Sequence, residues 1–149
     1  MLYYLSLGSN LGEREQTIEA AKQLIAQQIG SVTRCSSYYY SEPWGFESPH
    51  PFCNICCAVQ TPLSPIDMLR ATQAIERALG RTSKSHDGHY SDRVIDIDII
   101  RAFDDKGNEI QCHITNDQLA ISNNLWLIIP HPLWQQREFV CVPLQEITT

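Results

Sequence analysis

Apolar and polar positions divide this chain into segments of two different periods. Leu2–Leu7 (LYYLSL) is an apolar run of strand length, closed by Gly8-Ser-Asn-Leu-Gly12. From Glu13 to Gln28 the apolar residues Ile18, Ala21, Leu24 and Ile25 recur at three- and four-residue steps, which predicts a helix with one buried face, stopped by Gly30. Val32–Tyr40 alternates as a strand and ends at Ser41-Glu-Pro43. Trp44–Pro51, with two prolines and a glycine, is a loop, and Phe52–Thr61 is the next strand. A second helix then has a full start signal: Ser64 as N-cap, Pro65 at the first helical position and Asp67 completing S-x-x-D. Met68, Thr72, Ile75 and Leu79 mark its apolar face and Gly80 its stop. A polar loop, Arg81–Tyr90, leads to a strand over Tyr90–Ile100. DDKGNEIQ then reads as a hairpin turn, Leu125–Ile129 as a strand, and a proline-interrupted segment closes the chain.

Up to Ala102 the order is β-α-β-β-α-β, the split arrangement of ferredoxin-like α+β folds. It predicts an antiparallel sheet with helices on one face and the other face left available, an extra β-hairpin and a C-terminal segment. All 149 residues fit a single domain, 1–149.

One strand contradicts its own hydrophobicity. In YSDRVIDIDII, Ile95, Ile97 and Ile99 form one apolar stripe, which sets Asp96 and Asp98 side by side on the opposite face. Neighbouring carboxylates raise the cost of ionising one another. Magnesium, which takes one or two carboxylates plus phosphate oxygens and water, would offset that cost. On spacing alone, a solvated outer face of an edge strand or an ion pair with Arg93 serves equally well.

Charge narrows the partners. Eleven Lys and Arg against 17 Asp and Glu give a net charge of −6, which argues against general binding to nucleic acid or an anionic membrane. The basic residues cluster late in the chain: Arg81, Lys84, Arg93, Arg101 and Arg137, with His86, His89 and His131 among them. A local basic set in an acidic protein suggests a small anionic ligand, and arginine suits phosphate oxygens. No apolar run is long enough for a membrane span and the start lacks a signal peptide's basic region, so a cytoplasmic protein is expected. Composition, 43% hydrophobic and 19% charged, is that of an ordinary globular domain. Cys53 and Cys56 have C-x-x-C spacing but no second ligand pair follows. In a strand they face opposite ways, so the six cysteines read as plain thiols rather than a zinc site.

The remaining chemistry is local. Gly8–Gly12 lacks the ending of a phosphate-binding Walker loop and reads as a tight turn. Trp44, Phe46, Phe52 and Tyr90 lie in or beside loops, where a flat heterocycle could stack. Asn54, a polar amide in an apolar strand, needs partners if buried. Gln73 and Glu76 share a face of the second helix, facing either solvent or ligand. Together these residues point to magnesium-dependent chemistry on a phosphorylated ligand.

LSLGSNLG, YYYSEPWG, PFCN, IERALGR, DRVIDIDI and the IPHP…REFVCVPL ending stand in the order found in 6-hydroxymethyl-7,8-dihydropterin pyrophosphokinases of folate biosynthesis, and nearly the whole chain resembles that family. The resemblance implies transfer of the β,γ-pyrophosphoryl group of ATP to the pterin's hydroxymethyl oxygen, with release of AMP, by a monomer carrying two Mg2+ ions. Asp96 and Asp98 would be the shared metal ligands. Arg81 and Arg93 would contact the polyphosphate and stabilise charge in the transition state. Gln73, Glu76, Lys84, Tyr90, His131 and Arg137 would serve ATP, with Tyr90 on a loop covering the site. Ser41, Glu42, Pro43, Trp44, Phe52, Asn54 and Phe139 would line the pterin pocket, Phe52 and Phe139 sandwiching the ring and Asn54 reading its edge. The family's common R-W-G-P-R is His89-Tyr90-Ser91-Asp92-Arg93 here, which adds a negative charge and makes one positive charge conditional on pH.

Overall fold

The computed structural model describes residues 1–42, 50–80, 94–114 and 127–148. Its main sheet is built from β1 (Leu2–Ser9), β2 (Ser31–Cys35), β3 (Tyr39–Ser41), β4 (Phe52–Gln60) and β5 (Asp96–Phe103). The order is β2-β4-β1-β5, every pairing is antiparallel, and β3 also pairs with β4. With α1 (Arg14–Gln28) and α2 (Pro65–Ala78) on one face, this is the ferredoxin-like arrangement. A second, two-stranded sheet pairs β6 (Cys112–Ile114) with β7 (Leu127–Ile129).

Strand alternation divides the apolar residues between two cores. Tyr3, Leu5 and Leu7 of β1, Cys53, Ile55, Cys57 and Val59 of β4, and Ile97 and Ile99 of β5 meet Ile18, Ala21 and Ile25 of α1 and Met68, Leu69 and Ile75 of α2. The second core holds Cys56, Ala58 and Ile100 from the opposite sheet face. Cys53 and Cys56 thus point to opposite faces, as the strand reading requires.

The opposite face is partly covered by a third helix. The proline-interrupted ending folds as a 3-10 turn (Trp134–Gln136) and then α3 (Glu138–Thr148), whose Val140, Leu144 and Ile147 complete the second core. Pro143 lies inside α3 and is buried. The break that a proline suggests is absent because the helix is held by packing against β4 and β3.

Three other boundaries differ from the sequence reading. Val32–Tyr40 is two strands. Between them Ser36 Oγ accepts from Cys56 N (2.9 Å) and the Glu146 carboxylate accepts from Ser37 N (3.1 Å), so side chains take ladder positions. β1 extends through Gly8 and Ser9, which read as a turn. β5 begins at Asp96, and a bulge makes Ile100 the extra residue between the Leu5–Ile99 and Tyr4–Arg101 pairs. Ile100 keeps the alternation and lies in the second core, and the bulge is what returns Ala102 to the first. The second helix keeps its predicted signals: Ser64 Oγ accepts from Asp67 N at 3.4 Å, and Gly80 has a φ of +103°.

Candidate active site

Three antiparallel neighbours bring the candidate residues to one end of the face opposite α1 and α2. Gly8, at the end of β1, pairs with Asn54 near the start of β4 and with Asp96 at the start of β5. One step along, Ser6 pairs with Cys56 and with Asp98. On the outer side Tyr39 pairs with Asn54, and Ser41 with Phe52. Residues far apart in sequence therefore form two short rows across the strands.

The aspartate pair is where alternation predicts it. Asp96 and Asp98 are half-buried, while Ile97 between them turns into the helix-side core and is 2% exposed. The strand is clamped at that point. Glu76 on α2 is buried, and its Oε2 accepts a 2.7 Å hydrogen bond from the backbone N–H of Ile97. Inside the core, away from water, such a bond is electrostatically stronger than at the surface. It ties α2 to the residue separating the two aspartates. Glu76 therefore lies under the sheet rather than on a solvent-facing helix surface, and Gln73 beside it is half-buried.

Asn54 finds the partners that its burial demands. It is 2% exposed, and its Nδ2 donates to Tyr39 O (3.0 Å) and to Ser41 Oγ (2.8 Å). These two acceptors fix the amide so that Oδ1 lies over Gly8. A Cβ at Gly8 would stand 3.0 Å from that oxygen and 3.6 Å from the Phe52 ring. Gly8 thus keeps open the floor between Asn54 and Phe52 on one side and Asp96 on the other. Strand spacing makes that gap about 10 Å from Asn54 to Asp96.

Phe139 packs beside the second core, with the Arg137 guanidinium 5.9 Å from its ring centroid. Arg137 is 1% exposed, and burial pushes its guanidinium down to about 10, which leaves it charged at neutral pH. His131 follows β7 and runs beside β5, its backbone N–H donating to Ile100 O at 2.8 Å. His131 Nδ1 accepts from Leu133 N (3.1 Å), so in the neutral ring Nε2 carries the proton. Glu42 is exposed just after β3.

Arg101 does not belong with these residues. It forms a two-point bond to Glu109 (2.8 and 2.9 Å) and stacks on Phe103 and Trp134, with centroid distances of 5.1 and 5.5 Å. The late basic set is accordingly smaller than the sequence suggests. Arg81, Lys84, Tyr90, Arg93, Pro43 and Trp44 lie outside the described residues. Gly8 and Ser6 carry no chemical signal in the sequence, and strand register alone brings them beside the aspartates. Gly8 reads as part of a turn, yet it continues the Tyr4–Ser6 alternation of β1, the set that shares a face with Asp98 and Asp96.

Residues 4–149 match the model of a family described as 7,8-dihydro-6-hydroxymethylpterin-pyrophosphokinase (HPPK). The chain belongs to this pyrophosphokinase family. The 2-amino-4-hydroxy-6-hydroxymethyldihydropteridine pyrophosphokinase of Porphyromonas gingivalis is 43% identical over 146 residues, 98% of this chain and 90% of that one. The enzyme of the same name from Bacillus subtilis is 35% identical over 145 residues, 97% of this chain and 76% of its own. Among solved structures, an HPPK-DHPS in complex with substrates superposes with a TM-score of 0.67 at 14% identity, over 98% of this chain. This chain spans 40% of that longer one, and the likeness supports the pyrophosphokinase fold.

Proposed function

We propose that this chain transfers the pyrophosphoryl group of ATP to the hydroxymethyl oxygen of 6-hydroxymethyl-7,8-dihydropterin in folate biosynthesis. In this reaction the pterin oxygen bonds to the β-phosphorus, the bond from that phosphorus to the α-phosphate oxygen breaks, and AMP leaves. The observation that carries the reading is the row Asn54–Gly8–Asp96, which sets a fixed amide and an open floor beside a carboxylate pair. Asn54 Oδ1 would accept from the edge of the heterocycle, while Phe52 and Phe139 hold its faces and Ser41, Glu42, Pro43 and Trp44 line the rest of the pocket.

The aspartates suit Mg2+ as hard oxygen donors on one strand face. Among the described residues no group of three His, Cys, Asp or Glu gathers for a metal, so the remaining ligands would come from phosphate and water. Asp96 and Asp98 would hold two Mg2+ ions, which would supply charge stabilisation for the polyphosphate and acidity for the attacking hydroxyl. Glu76 fixes the backbone between the two ligands. Arg81 and Arg93 would neutralise charge developing on the transferred group, and Gln73, Lys84, Tyr90, His131 and Arg137 would hold ATP. Phosphoryl transfer rests mainly on such positioning and charge stabilisation. Among the described residues no helix is long and apolar enough to cross a membrane, and a cytoplasmic monomer is the form we assign.

Asp96→Ala and Asp98→Ala test the assignment. Each is expected to lower turnover by at least about a hundredfold, roughly 2.7 kcal/mol, while the urea midpoint moves little. Wild-type turnover in both variants would contradict it.

A further inference from the structure

We infer that Cys35 and Cys57 form an oxidation site, a thiol pair that a hydroperoxide converts to a disulfide stapling the edge strand β2 to β4. The two residues are direct cross-strand partners. Ser36 N donates to Cys56 O at 2.9 Å, so the adjacent pair, Cys35 and Cys57, occupies the close position that lacks backbone bonds. Cα atoms at such positions are about 4.5 Å apart, within the span of roughly 4.4–6.8 Å that a disulfide bridges. The sulfurs already meet, with Sγ···Sγ at 3.2 Å in a thiol hydrogen bond. Little backbone movement separates this contact from a covalent bond.

The pair is asymmetric in access and acidity. Cys35 is half-buried and Cys57 is fully buried, so an oxidant reaches Cys35 first. The hydrogen bond with Cys57 outweighs desolvation and, with the Lys22 ammonium of α1 nearby, brings the Cys35 thiol down to about 7. The same bond and burial push Cys57 well above the ordinary thiol range. Lys22 is itself held by Glu19 at 3.2 Å, so both charged groups facing the pair come from α1. By contrast, burial pushes Cys53 up to about 11 and Cys56 up to about 12. Buried thiols usually pack as small inert hydrophobes; the sulfur contact and the acidified outer thiol set this pair apart.

The chemistry balances without another protein group. The Cys35 thiolate attacks one peroxide oxygen, the O–O bond breaks, and hydroxide leaves, giving a sulfenic acid. Cys57 sulfur then attacks Cys35 sulfur. The S–O bond breaks, and the oxygen leaves as water with the Cys57 proton. Two thiols are oxidised, one peroxide is reduced, and two waters result.

The test treats reduced, folded protein with hydrogen peroxide, blocks free thiols with iodoacetamide, and maps the cysteines by mass spectrometry with and without dithiothreitol. The expected product is a Cys35–Cys57 linked peptide pair, lighter by two hydrogens and released by dithiothreitol. Cys35→Ala should abolish it. Cys57→Ala should accumulate a dimedone-reactive sulfenic acid at Cys35; if that variant does not fold, transient dimedone labelling of Cys35 in the wild type should precede the disulfide. Cys35 remaining fully alkylatable after peroxide, or oxidation appearing first at Cys112 or Cys141, would overturn the inference. So would a disulfide joining two chains.

Discussion

Gly8 is the residue on which the proposed pocket most depends. Its missing Cβ leaves the Asn54 acceptor uncovered, and a methyl placed there would sit 3.0 Å from that oxygen. Gly8→Ala is expected to raise the KM for the pterin about tenfold or more, near 1.4 kcal/mol, with the KM for ATP changed far less. Steady-state kinetics with each substrate varied in turn would check this, and equal effects on both would locate the damage elsewhere. Glu76 makes a different prediction. Removing its carboxylate strands the buried Ile97 N–H, so Glu76→Ala should destabilise the fold by about 1–3 kcal/mol and lower turnover as well. Glu76→Gln keeps an oxygen for that bond and should recover most of the stability measured by urea unfolding. Much of this was readable residue by residue. Two aspartates in an isoleucine stripe and a buried asparagine contradict their surroundings, and each contradiction marks a candidate position. Gly8 and Glu76 were harder, because the function of one is a missing atom and that of the other is a bond to backbone in another element.

Among the elements, the two helices with strong local signals were predicted well, while strand boundaries and the helix set by tertiary contacts were not. α1 and α2 carry their signals locally, in apolar spacing, the Ser64 cap and Gly80. α3 does not, because Pro143 argues against a helix and only the second core, contributed by the sheet, stabilises it. Leu144→Ala in α3 should therefore cost about 2–5 kcal/mol in chemical denaturation, with the first core intact. The Arg101–Glu109 pair ties β5 to the segment before β6. Its hydrogen bond to Arg101 holds the Glu109 carboxyl below its ordinary value of 4.5. A depressed carboxyl contributes stability that is complete above the unfolded value and lost as pH falls through the folded one. Both side chains are about one-third exposed, so the contribution is less than about 1 kcal/mol. Glu109→Gln should lower the urea midpoint slightly at neutral pH, and the difference from wild type should vanish once the pH is taken well below 4.5. A difference that persists in acid would assign the effect to packing on Phe103 and Trp134.

At the scale of the molecule, the topology makes the site. The order β2-β4-β1-β5 is antiparallel throughout, so the end of β1 meets the starts of β4 and β5 at one end of the sheet. One face of the sheet is closed by α1 and α2, and α3 closes part of the other against β4 and β3. The Asn54–Gly8–Asp96 row lies on that second face, with the helix-side core behind it and the second core beside it. The sequence order of elements implied this sheet, but not the helix that borders the site. The most direct test is a nucleotide count by chromatography after incubating the protein with ATP, magnesium and 6-hydroxymethyl-7,8-dihydropterin, and with each omitted in turn. AMP should appear one-for-one with pterin consumed and only when all three are present. ADP in place of AMP, or no product from folded protein, would contradict pyrophosphoryl transfer.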